Sequence, residues 1–214
     1  MDRLVTIFLF LFGMACQSQG YQQEEIASTP ASKHVGGRCE GCEAVYEYGN
    51  KILTSTDTLP GFHEEGPKLK VTGTIFEKDG QTPAENVILY IYHTDQQGIY
   101  ATRGDEKGWA KRHGYIRGWI KTGKDGKYTF YTLRPGAYPS RAQAAHIHPV
   151  VKEPGINEYY ISSYFFNDDP LLSKNERNDP SPRGGSGILS LTKEDDLWVA
   201  KRDIILGLNI PGYQ

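Results

Sequence analysis

Cysteine is scarce in this 214-residue chain, which has only Cys16, Cys39 and Cys42. A closed four-cysteine zinc site would need a second Cys-x-x-Cys pair, and none exists. Surplus charge of one sign is also missing. Lys plus Arg number 24 against 26 Asp plus Glu, a net charge of −2, so nothing favours nucleic acid as a partner. No apolar run approaches the roughly 20 residues of a membrane-spanning helix. There is no Gly-x-Ser-x-Gly nucleophile elbow and no His-Glu-x-x-His metal helix. Gly184-Gly185-Ser186-Gly187 is not followed by Lys-Ser/Thr, so it is no phosphate loop. Helical periodicity is sparse, and only residues 44–51 and 193–197 could make short helices or turns.

The apolar run at 4–12, interrupted only by Thr6 and preceded by Asp2 and Arg3, fits the core of an export signal. Gly13-Met14-Ala15-Cys16 resembles a bacterial lipoprotein cleavage site, although Gly13 stands where leucine is usual. Residues 1–16 are therefore expected to be a signal peptide. Two outcomes are open, lipidation of Cys16 with a membrane tether, or ordinary cleavage and release. Residues 17–33 are polar, lack an apolar period and read as a linker. Cys39-Glu40-Gly41-Cys42 could be a redox pair, half a zinc site or a short disulfide. It has no βαβ context for a thioredoxin-type role. In an exported protein a structural disulfide that pins a local turn is expected.

Residues 34–214 read as one domain built from short strands. The segments 70–76, 87–92, 115–122, 127–132, 146–151, 158–165 and 198–206 are rich in β-branched and aromatic residues and punctuated by Gly and Pro. Lys124-Asp125-Gly126 predicts a hairpin between the third and fourth. The expected fold is all-β, a two-sheet antiparallel β-sandwich with long loops. The longest loop, 171–187, carries Arg177 and Arg183, which could approach an anionic substrate or simply lie on the surface. His93 beside Asp95 ends a strand and is expected to be structural.

His146-Ile147-His148 carries the chemistry. In a strand, residues i and i+2 face the same way, so two imidazoles can grip one ion. Tyr138 and Tyr100 precede them. Phenolates are hard anionic donors that suit ferric iron better than Zn²⁺ or Cu(I).

The order and spacing of His93-Thr94-Asp95, Gly98-Ile99-Tyr100, Gly118-Trp119-Ile120-Lys121-Thr122, Asp125-Gly126-Lys127-Tyr128-Thr129-Phe130, Leu133-Arg134-Pro135-Gly136-Ala137-Tyr138-Pro139 and Ala145-His146-Ile147-His148 resemble the catalytic core of the intradiol ring-cleavage dioxygenases. The likeness to protocatechuate 3,4-dioxygenase and catechol 1,2-dioxygenase covers about residues 71–170. It implies a prealbumin-like sandwich in which Tyr100, Tyr138, His146 and His148 hold a mononuclear Fe(III). A catechol-type substrate and O₂ are the implied partners, with cleavage between the hydroxyl-bearing carbons. Tyr138 is implied as the ligand displaced by substrate and as a proton acceptor. The chain departs from the family where Arg-Pro-Ala usually precedes the His-x-His motif. It reads Gln143-Ala144-Ala145 there, with Arg141 two residues away. The neutral amide of Gln143 should stabilise developing negative charge less than a guanidinium, unless Arg141 reaches in. Ser162-Ser163 likewise stands where Thr-Gln is common. An oligomer is left open. The competing reading is an exported, non-catalytic prealbumin-like binding module, which shares the fold but has no need of Tyr100 together with His146 and His148.

Overall fold

A computed structural model describes residues 34–214, all within the unit Ala31–Gln214. The expected signal, Cys16 and the whole linker lie outside the described residues. In chain order the strands are β1 (Thr56–Thr58), β2 (Lys68–Phe76), β3 (Ile88–His93), β4 (Arg117–Lys121), β5 (Lys127–Leu133), β6 (His146–Lys152), β7 (Tyr159–Tyr160), β8 (Tyr164–Phe166), β9 (Ile188–Leu189), β10 (Thr192–Glu194), β11 (Leu197–Lys201) and β12 (Ile204–Ile205). Two four-residue helices, α1 (Ala110–His113) and α2 (Lys174–Arg177), and a 3₁₀ turn, Cys42–Tyr46, complete the described elements.

One sheet runs β1-β5-β2-β11-β10 with β12 also on β2, and the other runs β4-β3-β6-β8-β9 with β7 also on β6. Both are mixed. β2 takes β11 and β12 in parallel, β1 is parallel to β5, and β8 is parallel to β9. The strict alternation along β2 buries Leu69, Val71, Gly73 and Ile75. These residues meet Tyr128 and Phe130 of β5 and, across the sandwich, Leu89, Ile91, Ile120, Ile147 and Val151. Gly73 serves a close approach. A Cβ there would lie 1.7 Å from the Arg202 carbonyl oxygen, where the chain passes from β11 to β12.

The expected hairpin does not form. β4 pairs with β3, whereas β5 pairs with β2 and β1 in the other sheet. The turn at Gly123–Gly126 carries the chain across the sandwich, from β4 on β3 to β5 on β2. The segments 158–165 and 198–206 are each broken into two short strands. Residues 192–194 form a strand where a helix or turn was expected, and 42–46 rather than 44–51 form a helical turn. The long loop contains α2, whose Ser173 and Glu176 cap it reciprocally. Arg177 is held by Asn167, and Arg183 donates to the Gly36 carbonyl and lies 3.6 Å from the Tyr160 ring centroid. Both arginines are thus tied to the scaffold.

The second sheet is covered on its outer face as well. Tyr90 of β3, Trp119 of β4 and Val150 of β6 pack under Cys42, Ala44 and Val45. That outer face, continued along β6, presents His148 and His146.

Candidate metal centre

Strand register builds half of the site. His148 lies opposite Tyr92 on β3, and His146 lies opposite Phe165 on β8. Their shared face brings the two Nε2 atoms to 3.0 Å. The other half comes from two loops at the ends of β3 and β5, which are stitched together. Asp95 Oδ1 accepts from the amides of Gln97 and Ile99, making a tight turn before Tyr100. The Gly136 amide donates to the Asp95 carbonyl, and Thr94 Oγ1 donates to the Gly136 carbonyl. Gly98 sits at φ 78°, and a Cβ there would lie 1.9 Å from the Ala137 carbonyl oxygen. Only glycine lets the Tyr100 loop touch the backbone that leads into Tyr138.

The four side chains expected to meet do meet. Tyr100 Oη stands 2.7 Å from Tyr138 Oη and 2.8 Å from His148 Nε2. Tyr138 Oη is 3.5 Å from both imidazole Nε2 atoms. Donors bound about 2.1 Å from one ion stand about 3.0 to 3.4 Å apart, so these spacings suit the edges of a coordination shell. Proton supply points the same way. His146 Nδ1 must donate to the Ala144 carbonyl at 2.7 Å, which leaves its Nε2 a lone pair aimed at the cluster. Five close contacts then share at most three protons, two phenolic and one from His148. A cation satisfies such a donor set better than hydrogen bonds can. Among the described residues no group of three or more His, Cys, Asp or Glu offers a competing site.

Burial keeps the imidazoles neutral, as ligands must be. Desolvation pushes His148 down to about 3, helped by nearby His146, His113 and His93, and it lowers His146 too. Burial also raises the Tyr100 phenol well above its usual range, so its proton leaves only to a strong positive charge. His148 is oriented by a stack of three rings. Tyr92 lies between His148, at 4.6 Å, and His113, at 3.8 Å.

A cavity of about 210 Å³ lies beside the donors, walled by Tyr92, Trp109, His113, Arg112 and Glu40. The Cys39–Cys42 disulfide, one of the readings its spacing left open and the one expected in an exported protein, is present. Its turn forms part of the cover over the site, since an adjoining cavity of about 260 Å³ is lined by Arg38, Cys39, Glu40, Gly41, Tyr92 and His148. Sequence reasoning did not find this cover. A hint was available in Trp109 and His113, spaced i and i+4 at what prove to be the N-cap and the last residue of α1.

Gln143 and Arg141 are exposed on the loop between Tyr138 and β6, and Arg141 has φ 52°. Neither lines the cavity beside the donors. His93 is buried and neutral, with Nδ1 on the Thr94 carbonyl and Nε2 on the Thr132 hydroxyl, both at 2.7 Å. It braces the strand end, as expected, and is not part of the donor cluster.

The close approach at Gly98 yields a direct test. Gly98→Ala adds left-handed strain of about 1–2 kcal/mol and a backbone collision, which must spread the two tyrosine loops. The expected result is a folded protein whose metal affinity drops at least tenfold, read as metal retained after dialysis against a weak chelator. Unchanged retention would show that the loops do not set the site.

A dioxygenase family model matches residues 47–178, more than half of the chain. The chain is 25% identical over 114 residues to the protocatechuate 3,4-dioxygenase beta chain of Burkholderia cepacia, covering 50% of this chain and 48% of that one. It is 35% identical over 82 residues to catechol 1,2-dioxygenase 1 of Acinetobacter lwoffii, covering 38% and 25%. The chain thus spans about half, or less, of the length of these two curated relatives. Among solved structures, the dioxygenase domain of a dioxygenase–carbohydrate-binding fusion from Streptomyces sp. SirexAA-E superposes with a TM-score of 0.54 at 23% identity, covering 74% of this chain and 94% of that one. An intradiol ring-cleavage dioxygenase from Tetranychus urticae gives 0.53 at 21%, covering 73% and 87%. These likenesses match the mixed-sheet sandwich described above. The family match spans the strands and both loops that assemble the tyrosine–histidine cluster, and by it the chain belongs to the intradiol dioxygenase family.

Proposed function

We propose that this protein is a ferric-iron-dependent dioxygenase that opens the ring of a catechol-type substrate between its two hydroxyl-bearing carbons. The convergence of Tyr100, Tyr138, His146 and His148 within 3.5 Å contacts carries the reading. These four residues would hold the iron. Bound there, Fe(III) supplies Lewis acidity and an electron relay that make a chelated ring reactive toward O₂. The chain's own residues do the rest. Tyr92, Trp109 and His113 give the cavity an aromatic lining suited to a ring. Tyr138 precedes the exposed stretch 139–143 and lies 3.5 Å from both imidazoles, whereas Tyr100 Oη stands 2.8 Å from His148 Nε2. Tyr138 is therefore the donor that yields its place to substrate, and its Oη then takes a substrate proton. Gln143 and Arg141 belong to the same exposed stretch. A non-catalytic binding module of this fold would need no such convergence of donors. The proposal extends to location. The run at 4–12 followed by Cys16 supports an exported protein, tethered if Cys16 is lipidated.

Metal analysis and a visible spectrum of the purified chain test this reading. One iron per chain is expected, with a broad tyrosinate-to-Fe(III) band that shifts when a catechol is added under nitrogen and decays when O₂ is admitted. Stoichiometric zinc together with a colourless iron-loaded sample would refute it.

A further inference from the structure

The two adjoining cavities beside the donor cluster are lined by three charged side chains, Arg38, Arg112 and Glu40. Among the charged side chains that line these two cavities, two cations face one carboxylate, a net charge of +1. Arg112 comes from α1 and forms an ion pair with Glu40, and its guanidinium lies 5.6 Å from the Trp109 ring centroid. Both partners are 64% exposed, so the pair is weak and can be shared with an arriving anion. Its position is nonetheless set. Glu40 sits on the turn closed by Cys39 and Cys42, and Gly41 on that turn, at φ 86°, touches α1 so closely that a Cβ would lie 2.7 Å from His113 Nε2. Arg112 lines the same small cavity as Tyr100, Tyr138 and His148. A single aromatic ring with its oxygens at the donors would therefore share one cavity with the Arg112 guanidinium and the Trp109 ring. Gln143 is neutral and exposed, so it supplies no charge there.

We propose that Arg112, positioned by Glu40 on the disulfide-closed turn, is the specificity-determining cation of this site and selects ring ligands that bear an anionic substituent opposite their metal-binding oxygens. This rests on the preceding reading for where the oxygens bind, but the charge preference itself can be measured without turnover. Phenol and 4-hydroxybenzoate serve as probes, since each offers one ring oxygen and neither can chelate as a catechol does. Their affinities for the purified full chain, read by calorimetry and by quenching of tryptophan fluorescence, should differ about tenfold in favour of the carboxylate, the size of one charge-assisted contact. Arg112→Gln should bring the ratio to about one while phenol affinity stays within about twofold. Arg112→Lys should keep part of the preference. Glu40→Gln should widen the ratio, because it removes the competing carboxylate. A role confined to structure would instead weaken both probes equally in every variant. An unchanged ratio in Arg112→Gln, or no binding of either probe, overturns the proposal. A preserved ratio in a protein that holds no iron overturns only the preceding reading.

Discussion

Replacing His148 with alanine is expected to abolish stoichiometric iron binding and, with it, ring cleavage. His148 Nε2 is the hub of the cluster, lying 2.8 Å from Tyr100 Oη, 3.0 Å from His146 Nε2 and 3.5 Å from Tyr138 Oη. Its ring is held against the face of Tyr92, so little conformational freedom is lost when it binds. Loss of a group that merely supports a ligand typically costs 10- to 100-fold in metal affinity. Loss of the ligand itself should cost at least about a thousandfold, or about 4 kcal/mol. The domain should stay folded, because the core between the sheets does not include His148. His93→Gln is the informative comparison. It disturbs a buried imidazole in the same neighbourhood, yet that imidazole spends both nitrogens on Thr94 and Thr132, so iron should be retained. Iron content by emission spectroscopy and the intensity of the visible band separate the two variants. Full iron occupancy in His148→Ala would remove the basis for the four-donor site.

The donors were legible in the sequence because their chemistry is local. The face shared by His146 and His148 follows from strand periodicity, and β6 begins at His146. The two tyrosine loops announced themselves through Asp95, Gly98 and the Pro135-Gly136 turn, whose hydrogen bonds run within or between two short segments. Partner choice was less legible. The turn at 123–126 looks the same whether it joins neighbours in one sheet or crosses between two. The difference lies in the fit of β4 to β3 and of β5 to β2, which is settled across more than 20 residues of intervening chain. The parallel placement of β11 on β2 is more distant still, pairing Leu197 with Lys68. The wall of the site was hidden for a similar reason. Cys39–Cys42 reads as a local staple, and nothing in its spacing says that its turn lies against His113 and helps line the cavities beside Tyr92 and His148. Nor does the stack of His113, Tyr92 and His148 have a sequence signature, since its members come from a helix and two strands.

The metal-free protein is expected to lose much of its stability between pH 6.5 and pH 4, before most carboxylates protonate. His93 is 1% exposed, and desolvation is the main reason its pKa falls from 6.5 to about 4. The hydrogen bond to the Thr94 carbonyl opposes that shift without cancelling it. Above pH 6.5 the imidazole is neutral in both the folded and the unfolded chain, and stability is at its full value. As the pH falls below 6.5 the unfolded chain takes up a proton that the folded chain refuses, so stability declines by about 1.4 kcal/mol per pH unit. Below about pH 4 the folded chain is protonated too, and the loss from this group levels off near 3 kcal/mol. His113, lowered to about 4 mainly by burial and bonded through Nδ1 to Tyr90 Oη, adds a loss of the same sign over the same window. Against a total stability of about 5–15 kcal/mol, these groups decide whether the apoprotein survives mild acid. Urea unfolding of the metal-free chain at half-unit steps from pH 8 to pH 4 should show a midpoint that falls steadily below pH 6.5. His93→Gln, which cannot titrate, should be less stable at pH 8 yet lose about one proton's worth of slope between pH 6.5 and pH 5. A wild-type midpoint that is flat across that interval, or one whose slope His93→Gln leaves unchanged, would mean that the imidazole is charged inside the folded protein.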